Sequence, residues 1–333
     1  MFDVIERTWI TSQSAIGGSR KVSNMFTVMS WNILADGLAQ TGGFVVDPSI
    51  LTWEYRWPRI LQEIQSVSPD VLCMMEANRF DDISTAFHDY VVLFSPKLAS
   101  AALSPSSPSD GCMMLLRRNR FSPLQIKVLY LTDPMSGSLS NQNAILALVR
   151  DTQAEKVLLF VTSHLKAKSG ELNAALRNSQ AKEILSEISL FLSTQTDSDI
   201  PVFLCGDFNG SPQEQLYSSI LMSPITFQSI YNPLEAFEYS DSIAPKSVQD
   251  AILRYSIGEP QFTTWKFRED GGEKKSTIDY MFLRSSARLE CRSVYELPNE
   301  EDLSYRGLPS SNYPSDHLAL ACRLHWYVGE DAL

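Results

Sequence analysis

Short apolar segments recur along the whole chain, and they constrain its fold more than any other feature of the sequence. Most are runs of aliphatic or β-branched residues that end at polar residues, glycine or proline, a pattern typical of β-strands. The predicted strands are 26–32, 70–76, 91–94, 112–117, 126–131, 144–150, 157–164, 202–206, 278–283 and 318–326. Because the strands span nearly the whole chain, we expect one domain over 25–328, preceded by a flexible extension at 1–24.

Two amphipathic helices interrupt the series of strands. Apolar residues recur at helical spacing from Trp57 to Val67, and Pro58 suits the first turn of that helix. A second apolar stripe runs from Leu172 to Leu192. Shorter helices are predicted at 82–88, 212–221 and 247–255, and polar or glycine-containing segments predict loops at 99–110, 133–142 and 268–276.

The connections between strands indicate the kind of sheet. Some predicted strands follow each other after a short loop, whereas others are separated by a helix. This mixture predicts mixed β-sheets rather than purely parallel ones. With so many strands, two sheets packed face to face are favoured over one broad open sheet. The expected fold class is therefore α/β, with helices flanking two mixed sheets.

The charge balance bears on the kind of partner. The 333 residues carry a formal net charge of -11. Proteins that grip long nucleic acids usually present a basic face, because each neutralised phosphate contributes affinity. The acidic balance therefore argues against tight binding of long RNA or DNA. It leaves room for a local basic pocket that takes a small phosphorylated ligand.

The cysteines and the N-terminus bear on the compartment. The 5 cysteines are far apart and form no Cys-x-x-Cys pair, so we expect buried free thiols in a reducing compartment. No apolar run approaches the roughly 20 residues of a membrane span, and the N-terminus lacks a signal-peptide core. Asp3 and Glu6 count against a mitochondrial presequence, so the cytosol is expected ahead of the mitochondrion.

Polar residues cluster at the ends of the strongest predicted strands, where a rigid scaffold can hold catalytic groups. The motifs are Trp31-Asn32, Met75-Glu76, Ser163-His164, Gly206-Asp207-Phe208-Asn209, Ile278-Asp279-Tyr280 and Ser315-Asp316-His317. Alone, each is more often a cap, a turn or a solvated strand end. Together they supply what metal-assisted phosphoester hydrolysis needs: oxygen ligands for Mg²⁺, a base for water and donors to phosphoryl oxygens.

This ordered set of motifs resembles the endonuclease/exonuclease/phosphatase superfamily, and it spans Asn32 to His317. The resemblance implies a four-layer α/β sandwich, which agrees with the two packed sheets expected above. It also implies hydrolysis of a phosphoester with Mg²⁺ as the cofactor and Mn²⁺ as the alternative. By the same resemblance, Glu76 is the principal metal ligand, and Asn32 and Asp316 lie beside the metal.

The resemblance also assigns catalytic roles. Asp207 orients or deprotonates the attacking water, while Asn209 and His164 stabilise the phosphate in the transition state. Asp279 fixes the imidazole of His317, which acts as the acid or base on the phosphate. A carboxylate beside an imidazole holds one tautomer and raises its pKa, so the physical chemistry agrees. The sequence leaves open whether Asp207 or His317 takes the proton from water.

Four longer sequence motifs resemble the nocturnin branch of this superfamily: DGCMMLLRRNRF at 110–121, SHLKAKSG at 163–170, RNSQ at 177–180 and FTTWKFR at 262–268. This resemblance implies a basic pocket for the 2′-phosphate and diphosphate of NADP(H). The substrate-binding candidates are Lys166, Lys168, Arg268 and Lys97. Lys168 stands where relatives often carry arginine, which replaces a two-pronged phosphate contact by a point charge.

Three other functions compete with removal of the 2′-phosphate of NADP(H). A 3′-exoribonuclease acting on poly(A) RNA would use the same catalytic set. Related deadenylases carry a leucine-rich-repeat docking segment, for which the stretch before the first predicted strand is too short. A noncatalytic adaptor is disfavoured by the intact catalytic set. A DNA-repair endonuclease is disfavoured because the chain shows no basic stripe for a duplex. No membrane partner is expected.

Overall fold

The computed structural model describes residues 5–11, 22–100, 109–232, 258–284, 286 and 288–327. The strands of the described part are β1 (Trp9–Thr11), β2 (Val22–Asn32), β3 (Val71–Ala77), β4 (Tyr90–Pro96), β5 (Gly111–Arg117), β6 (Phe121–Thr132), β7 (Leu139–Asp151), β8 (Lys156–His164), β9 (Val202–Asp207), β10 (Phe227–Ser229), β11 (Thr264–Arg268), β12 (Gly272–Ser276), β13 (Asp279–Arg284), β14 (Leu289–Tyr295) and β15 (Leu320–Tyr327). The helices are α1 (Asp36–Thr41), α2 (Trp53–Val67), α3 (Phe80–Ala86), α4 (Glu171–Ser193), α5 (Gln215–Leu221) and α6 (Glu300–Leu303), with a 3₁₀ turn at Pro48–Leu51. Every predicted strand is present.

Both large sheets are mixed, as the sequence predicts. The 7-stranded sheet has the order β1-β14-β15-β2-β3-β5-β4, and only β2 and β3 are parallel neighbours. The 6-stranded sheet has the order β10-β13-β9-β8-β7-β6, and only β8 and β9 are parallel neighbours. The strands β11 and β12 form a separate hairpin.

The two large sheets pack face to face over a shared apolar core. Phe26 of β2 meets Phe160 of β8 edge to face, with ring centroids 6.3 Å apart. On the outer face of the first sheet, α2 buries Ile60 and Ile64 against apolar side chains of that sheet. On the outer face of the second sheet, α4 buries Ile184 with the apolar side chains of β7, β8 and β9. Helix, sheet, sheet and helix make the expected four-layer sandwich.

Strand direction and register bring the polar motifs to one end of the sandwich. The parallel pair β8 and β9 ends on the same side, with His164 opposite Asp207. Strand β13 runs antiparallel to β9, so its first residue, Asp279, also lies opposite Asp207. In the other sheet, the register of β2 and β3 places Asn32 opposite Met75, one residue before Glu76. The strand ends that carry the polar motifs therefore lie at the same end of both sheets.

The long helices differ in detail from the prediction. Helix α2 begins at Trp53, because the hydroxyl of Thr52 accepts a hydrogen bond from the Tyr55 amide and caps the helix. Pro58 thus lies inside the helix, and its assignment to the first turn is wrong. In α4 the predicted stripe fails at its start. Leu172 is 74% exposed, and this part of the helix buries Arg177 instead.

Other sequence predictions are corrected at the edges of the sheets. Residues 5–11 were expected in a flexible extension, but β1 pairs with β14, and buried Arg7 forms an ion pair with Glu63. Segment 268–276 was expected to be a loop, but it belongs largely to the hairpin of β11 and β12, and 133–142 is a loop only up to the start of β7. The predicted helix at 247–255 lies outside the described residues.

The thiols match the expectation of free cysteines. Four are buried, and Cys291 is partly exposed. Within the described residues, no helix combines the length and the apolar character that a membrane crossing requires.

Candidate active site

Three side chains meet at the shared edge of the two sheets: Asp207, Asp279 and His317, here called the catalytic cluster. They are 1%, 4% and 1% exposed, and one ligand atom from each lies within 4.8 Å of the others. His317 Nδ1 lies 2.9 Å from Asp279 Oδ2, and its Nε2 lies 3.7 Å from Asp207 Oδ2. The structure therefore brings together three of the predicted catalytic residues.

Asp279 and its neighbours fix the imidazole of His317. The hydroxyl of Thr263 donates to Asp279 Oδ2 at 2.6 Å, which holds the carboxylate against the ring. The indole of Trp31 donates to the backbone carbonyl of His317 at 2.7 Å. Burial by itself lowers the pKa of His317, but Asp279 and then Asp207 outweigh it and raise that pKa to about 9. The ring is thus held in one orientation and favours its protonated form.

The pKa of Asp207 is raised as well, but in a carboxyl group this shift disfavours the charged form. Burial, reinforced by repulsion from Asp279, raises the pKa of the Asp207 carboxyl to about 6. Its Oδ1 accepts the backbone N–H of Asn209 at 2.9 Å, and its Oδ2 accepts Asn32 Nδ2 at 3.0 Å. Such a carboxylate is a stronger base than an exposed aspartate, yet it is ionised at neutral pH, which suits a general base.

His164 lies on the other side of Asp207. Its Nε2 is 3.6 Å from Asp207 Oδ2, and its Nδ1 is buried without a hydrogen-bond partner in the described part of the chain. Burial, and then the charge of Lys97, hold the pKa of His164 well below its ordinary value. The ring is therefore neutral. It can donate one hydrogen bond without adding a positive charge to the site.

Asn32 and Glu76 are the site residues that the first sheet contributes. Asn32 Nδ2 donates to Glu76 Oε1 at 3.1 Å as well as to Asp207, so one amide joins two carboxylates. Glu76 adopts φ +58, and the register of β3 and β5 shifts between Met74 and Ala77. A bulge of this kind redirects a side chain, and here the affected residue is the predicted metal ligand.

Asp316 connects the cluster to the hairpin. Its Oδ2 lies 3.2 Å from Lys266 Nζ and 3.7 Å from Arg268 Nη2. Lys266 Nζ is also 3.0 Å from His317 Nε2. Lys266 is not among the residues predicted from the sequence, although Arg268 of the same motif, FTTWKFR, is. Alternation along β11 places Lys266 and Arg268 on the same face, but this can be read only once 264–268 is known to be a strand.

The site fits a divalent cation. Asp207, Asp279 and Asp316 are buried carboxylates, and Glu76 is partly exposed beside Asn32. Burial and the negative charge of Asp279 raise the pKa of Asp207, which a cation would offset. Oδ1 of Asp316 is buried without a hydrogen-bond partner among the residues described. Oxygen-rich carboxylate groups suit Mg²⁺ or Mn²⁺. Glu76 and Asp316 have the donor chemistry to hold such an ion, whereas Asn32 turns its Oδ1 to the amide of Leu34.

The remaining candidates lie around the cluster. Lys166, Lys168 and Arg268, here called the basic rim, are partly or fully exposed, and the Arg268 side chain lies over the Phe44 ring. Lys97 differs from these three residues: its ammonium forms an ion pair of 2.5 Å with buried Asp110, and its charge acts on His164, whose pKa it lowers, so it stays a candidate beside the catalytic cluster. Asn209 donates its side-chain amide to the carbonyl of Leu165 at 3.1 Å, which ties it to the loop that carries the two rim lysines.

Comparison with known proteins shows the family of the chain. Residues 29–317 match the sequence model of the Endonuclease/Exonuclease/phosphatase family. Nocturnin of Drosophila melanogaster is 33% identical over 305 residues, which is 89% of this chain and 46% of that protein. Nocturnin of Homo sapiens is 32% identical over 313 residues, which is 92% of this chain and 66% of that protein. The chain thus spans about half to two thirds of the length of these relatives.

A solved structure gives the same result. The human Nocturnin catalytic domain with a bound sulfate anion superposes with a TM-score of 0.70 at 27% identity, covering 96% of this chain and 97% of that one. The two-sheet fold and the resemblance to nocturnin inferred from the sequence are both confirmed. With the family match extending over both sheets and every strand-end motif, the chain belongs to the endonuclease/exonuclease/phosphatase family.

Proposed function

We propose that the protein is a divalent-metal-dependent phosphohydrolase that removes the 2′-phosphate of NADP(H) and releases NAD(H). The observation that carries the proposal is the catalytic cluster, in which a carboxyl group with a pKa of about 6 faces an imidazole with a pKa of about 9. Both pKa values are raised, which leaves Asp207 ionised and His317 protonated at neutral pH, so the two groups can divide the roles of base and acid.

Asp207 is the base in this mechanism. At neutral pH its carboxylate is free of its proton, and Asn32 and the Asn209 amide hold it in place. It accepts a proton from a water molecule as the water oxygen attacks phosphorus. The bond from phosphorus to the ribose 2′-oxygen breaks, and that oxygen takes up a proton, for which the protonated imidazole of His317 is the acid. The alternative, in which His317 takes this proton, requires the imidazole to be neutral, and the neighbouring carboxylates disfavour that state.

His317 and Lys266 act on the phosphoryl group. Two cations whose nitrogens are 3.0 Å apart repel each other when both are protonated. An anionic phosphoryl oxygen between Nε2 of His317 and Nζ of Lys266 would relieve that repulsion and accept a hydrogen bond from each. His164 and the second N–H of the Asn209 amide supply further neutral donors. These donors are positioned before the reaction, which is the arrangement that stabilises developing charge.

A divalent ion at Glu76 and Asp316 would supply further neutralisation of phosphoryl charge when bound. The protein holds both carboxylates in place. Asn32 and the backbone amide of Ala35 donate hydrogen bonds to Glu76, and Lys266 forms an ion pair with Asp316. These contacts leave lone pairs on both carboxylates for an ion. Mg²⁺ is the preferred ion and Mn²⁺ the alternative.

The choice of substrate rests on the basic rim. The chain as a whole is acidic, with a net charge of -11, so the rim is a local positive patch on a negative background. Such a patch suits a compact, highly charged ligand such as the 2′-phosphate and diphosphate of NADP(H). One observation favours the second candidate, a poly(A) 3′-exoribonuclease: Lys168 is exposed and the Arg268 side chain is 41% exposed, so the rim is open to a longer chain.

One experiment separates these functions. Purified protein with Mg²⁺ is incubated with NADP⁺ and, in parallel, with poly(A) RNA. Release of inorganic phosphate and NAD⁺ without RNA shortening supports the proposal, and a ladder of shortened RNA supports the exoribonuclease. Hydrolysis of neither substrate favours the noncatalytic adaptor. Asp207→Asn must abolish any activity that belongs to this site, whereas Asp81→Asn, at an exposed position of α3, must not.

A further inference from the structure

Arg177 is a buried cation outside the catalytic cluster. It lies on α4 and is 2% exposed. Its Nε and Nη2 donate to the two carboxylate oxygens of Glu214 at 2.9 and 2.8 Å. Its Nη1 donates to the backbone carbonyls of Lys166 at 3.0 Å and Lys168 at 2.8 Å. The guanidinium therefore joins one side chain of the chain segment before α5 to the backbone of the loop after β8.

The loop that Arg177 grips is the loop that carries both lysines of the basic rim. It starts directly after His164. The backbone N–H of its first residue, Leu165, donates a hydrogen bond of 2.9 Å to the Asp207 carbonyl and so holds the start of the loop to β9. Gln180, one turn further along α4, accepts the backbone N–H of Lys166 at 3.0 Å. Beyond these contacts Lys168 is exposed and adopts φ +82. Its backbone position therefore depends heavily on the hydrogen bond from Arg177.

Glu214 extends the connection to the loop after β9. A Cβ atom placed on Gly210 would lie 2.8 Å from Glu214 Oε2 and 3.3 Å from Arg177 Nε, so the ion pair packs directly against the backbone next to Asn209. The hydroxyl of Tyr280 donates to the Gly210 carbonyl at 2.9 Å and fixes this backbone from the other side. The two loops that follow the parallel strands β8 and β9 are thus braced against each other through one buried ion pair.

A lysine could not make this set of contacts. The planar guanidinium presents donors in a fixed fork, which matches a carboxylate on one edge and two carbonyls on another. A buried cation of this kind is costly unless its donors are satisfied, and here each of the three nitrogens has a partner. Because those partners are all internal, Arg177 has no role left as a direct phosphate ligand.

We propose that Arg177 and Glu214 form a positioning pair that sets where Lys166 and Lys168 meet the phosphates of the substrate. This inference rests on the proposed function, since it assumes that the rim lysines bind phosphate. It assigns the pair an effect on substrate affinity rather than on the chemical step, because the catalytic cluster has its own supports in Thr263, Trp31 and Asn32.

The test compares Arg177→Lys and Glu214→Gln with a matched control, Arg150→Met, which removes an exposed ion pair to Glu155. The readouts are kcat and KM for NADP⁺ with Mg²⁺, the Kd for adenosine 2′-phosphate, and the melting temperature. For Arg177→Lys we expect KM and Kd to rise about tenfold, the scale of lost charge-assisted hydrogen bonds. We expect kcat to stay within about twofold and the control to match the wild type.

The outcomes separate the inference from the proposed function. A lower melting temperature with unchanged KM and Kd would show that the pair is only structural and would overturn the inference alone. A fall in kcat at constant KM would also overturn it, because the pair would then act on the catalytic strand ends. If the wild-type protein neither hydrolyses NADP⁺ nor binds adenosine 2′-phosphate, the proposed function fails and the inference fails with it.

Discussion

The catalytic cluster and the basic rim are held in opposite ways. Asp207, Asp279 and His317 are nearly inaccessible. Strand register fixes Asp207 and Asp279, and hydrogen bonds between buried groups hold His317, which precedes β15. The rim lysines extend from a loop whose backbone is fixed but whose side chains reach towards solvent. Under the proposed function, the strand ends supply the chemistry and a braced loop supplies the substrate contacts. Changes in the cluster should therefore lower kcat, and changes in the rim should raise KM.

The largest expected effect comes from Asp279→Asn. The uncharged amide would no longer stabilise the protonated imidazole of His317 or raise its pKa, although the shape of the site is kept. We expect kcat to fall by about 10³–10⁴-fold with little change in KM, by analogy with carboxylate–imidazole pairs in hydrolases. Steady-state kinetics with NADP⁺ measures both constants. A variant with nearly wild-type kcat would show that the imidazole needs no carboxylate partner.

Metal dependence tests the part of the cluster built on the first sheet. Chelation with EDTA should abolish activity, and added Mg²⁺ should restore it, since buried carboxylates lack enough counter-charge without a cation. Glu76→Gln should raise the Mg²⁺ concentration for half-maximal activity by about 10–100-fold. A titration of activity against Mg²⁺ measures this shift. Full activity in EDTA would rule out the metal-dependent mechanism.

The pH profile tests the division of roles within the cluster. Asp207 must be ionised to accept a proton, so kcat/KM should fall as pH drops through about 6, the raised pKa of this carboxyl in the free protein. His317 must be protonated to donate, so kcat/KM should also fall as pH rises through about 9. Each limb should change about tenfold per pH unit. A profile that keeps rising above pH 9 would instead assign the role of base to His317.

The smallest effects are expected in the rim. Lys166→Met should raise KM for NADP⁺ by about fivefold, and Lys168→Met by less, because a more exposed charge is better screened by solvent. Lys182→Met, an exposed position on α4, provides the control. Kinetics at low and high salt would sharpen the comparison, since both effects should shrink as salt increases. A rim variant that lowers kcat without raising KM would erase the distinction between rim and cluster.

The sequence predicted the buried half of this comparison better than the exposed half. The strands were predictable because both faces of each sheet are covered, which makes their sequences almost continuously apolar. The cluster was predictable because polar residues such as Asp207 and His317 interrupt those runs at their ends. Strand register brings these residues together, because His164 of β8 and Asp279 of β13 lie opposite Asp207 on either side of β9.

The functional residues and strands that the sequence did not reveal share a physical cause. Lys266 and Arg177 are charged residues that look like surface groups, and only three-dimensional neighbours such as Asp316 and Glu214 make their burial favourable. Partners far away along the chain leave no local trace in composition or periodicity. The charged hairpin of β11 and β12 was overlooked for a similar reason, because it lacks the apolar pattern that marks the other strands.

A crystal structure of the protein soaked with Mn²⁺ and adenosine 2′-phosphate tests the central claim most directly. Anomalous scattering should locate manganese at the carboxylate of Glu76, with the 2′-phosphate between His317 and Asn209. Manganese bound away from Glu76, or a phosphate bound far from Asp207, would contradict the account.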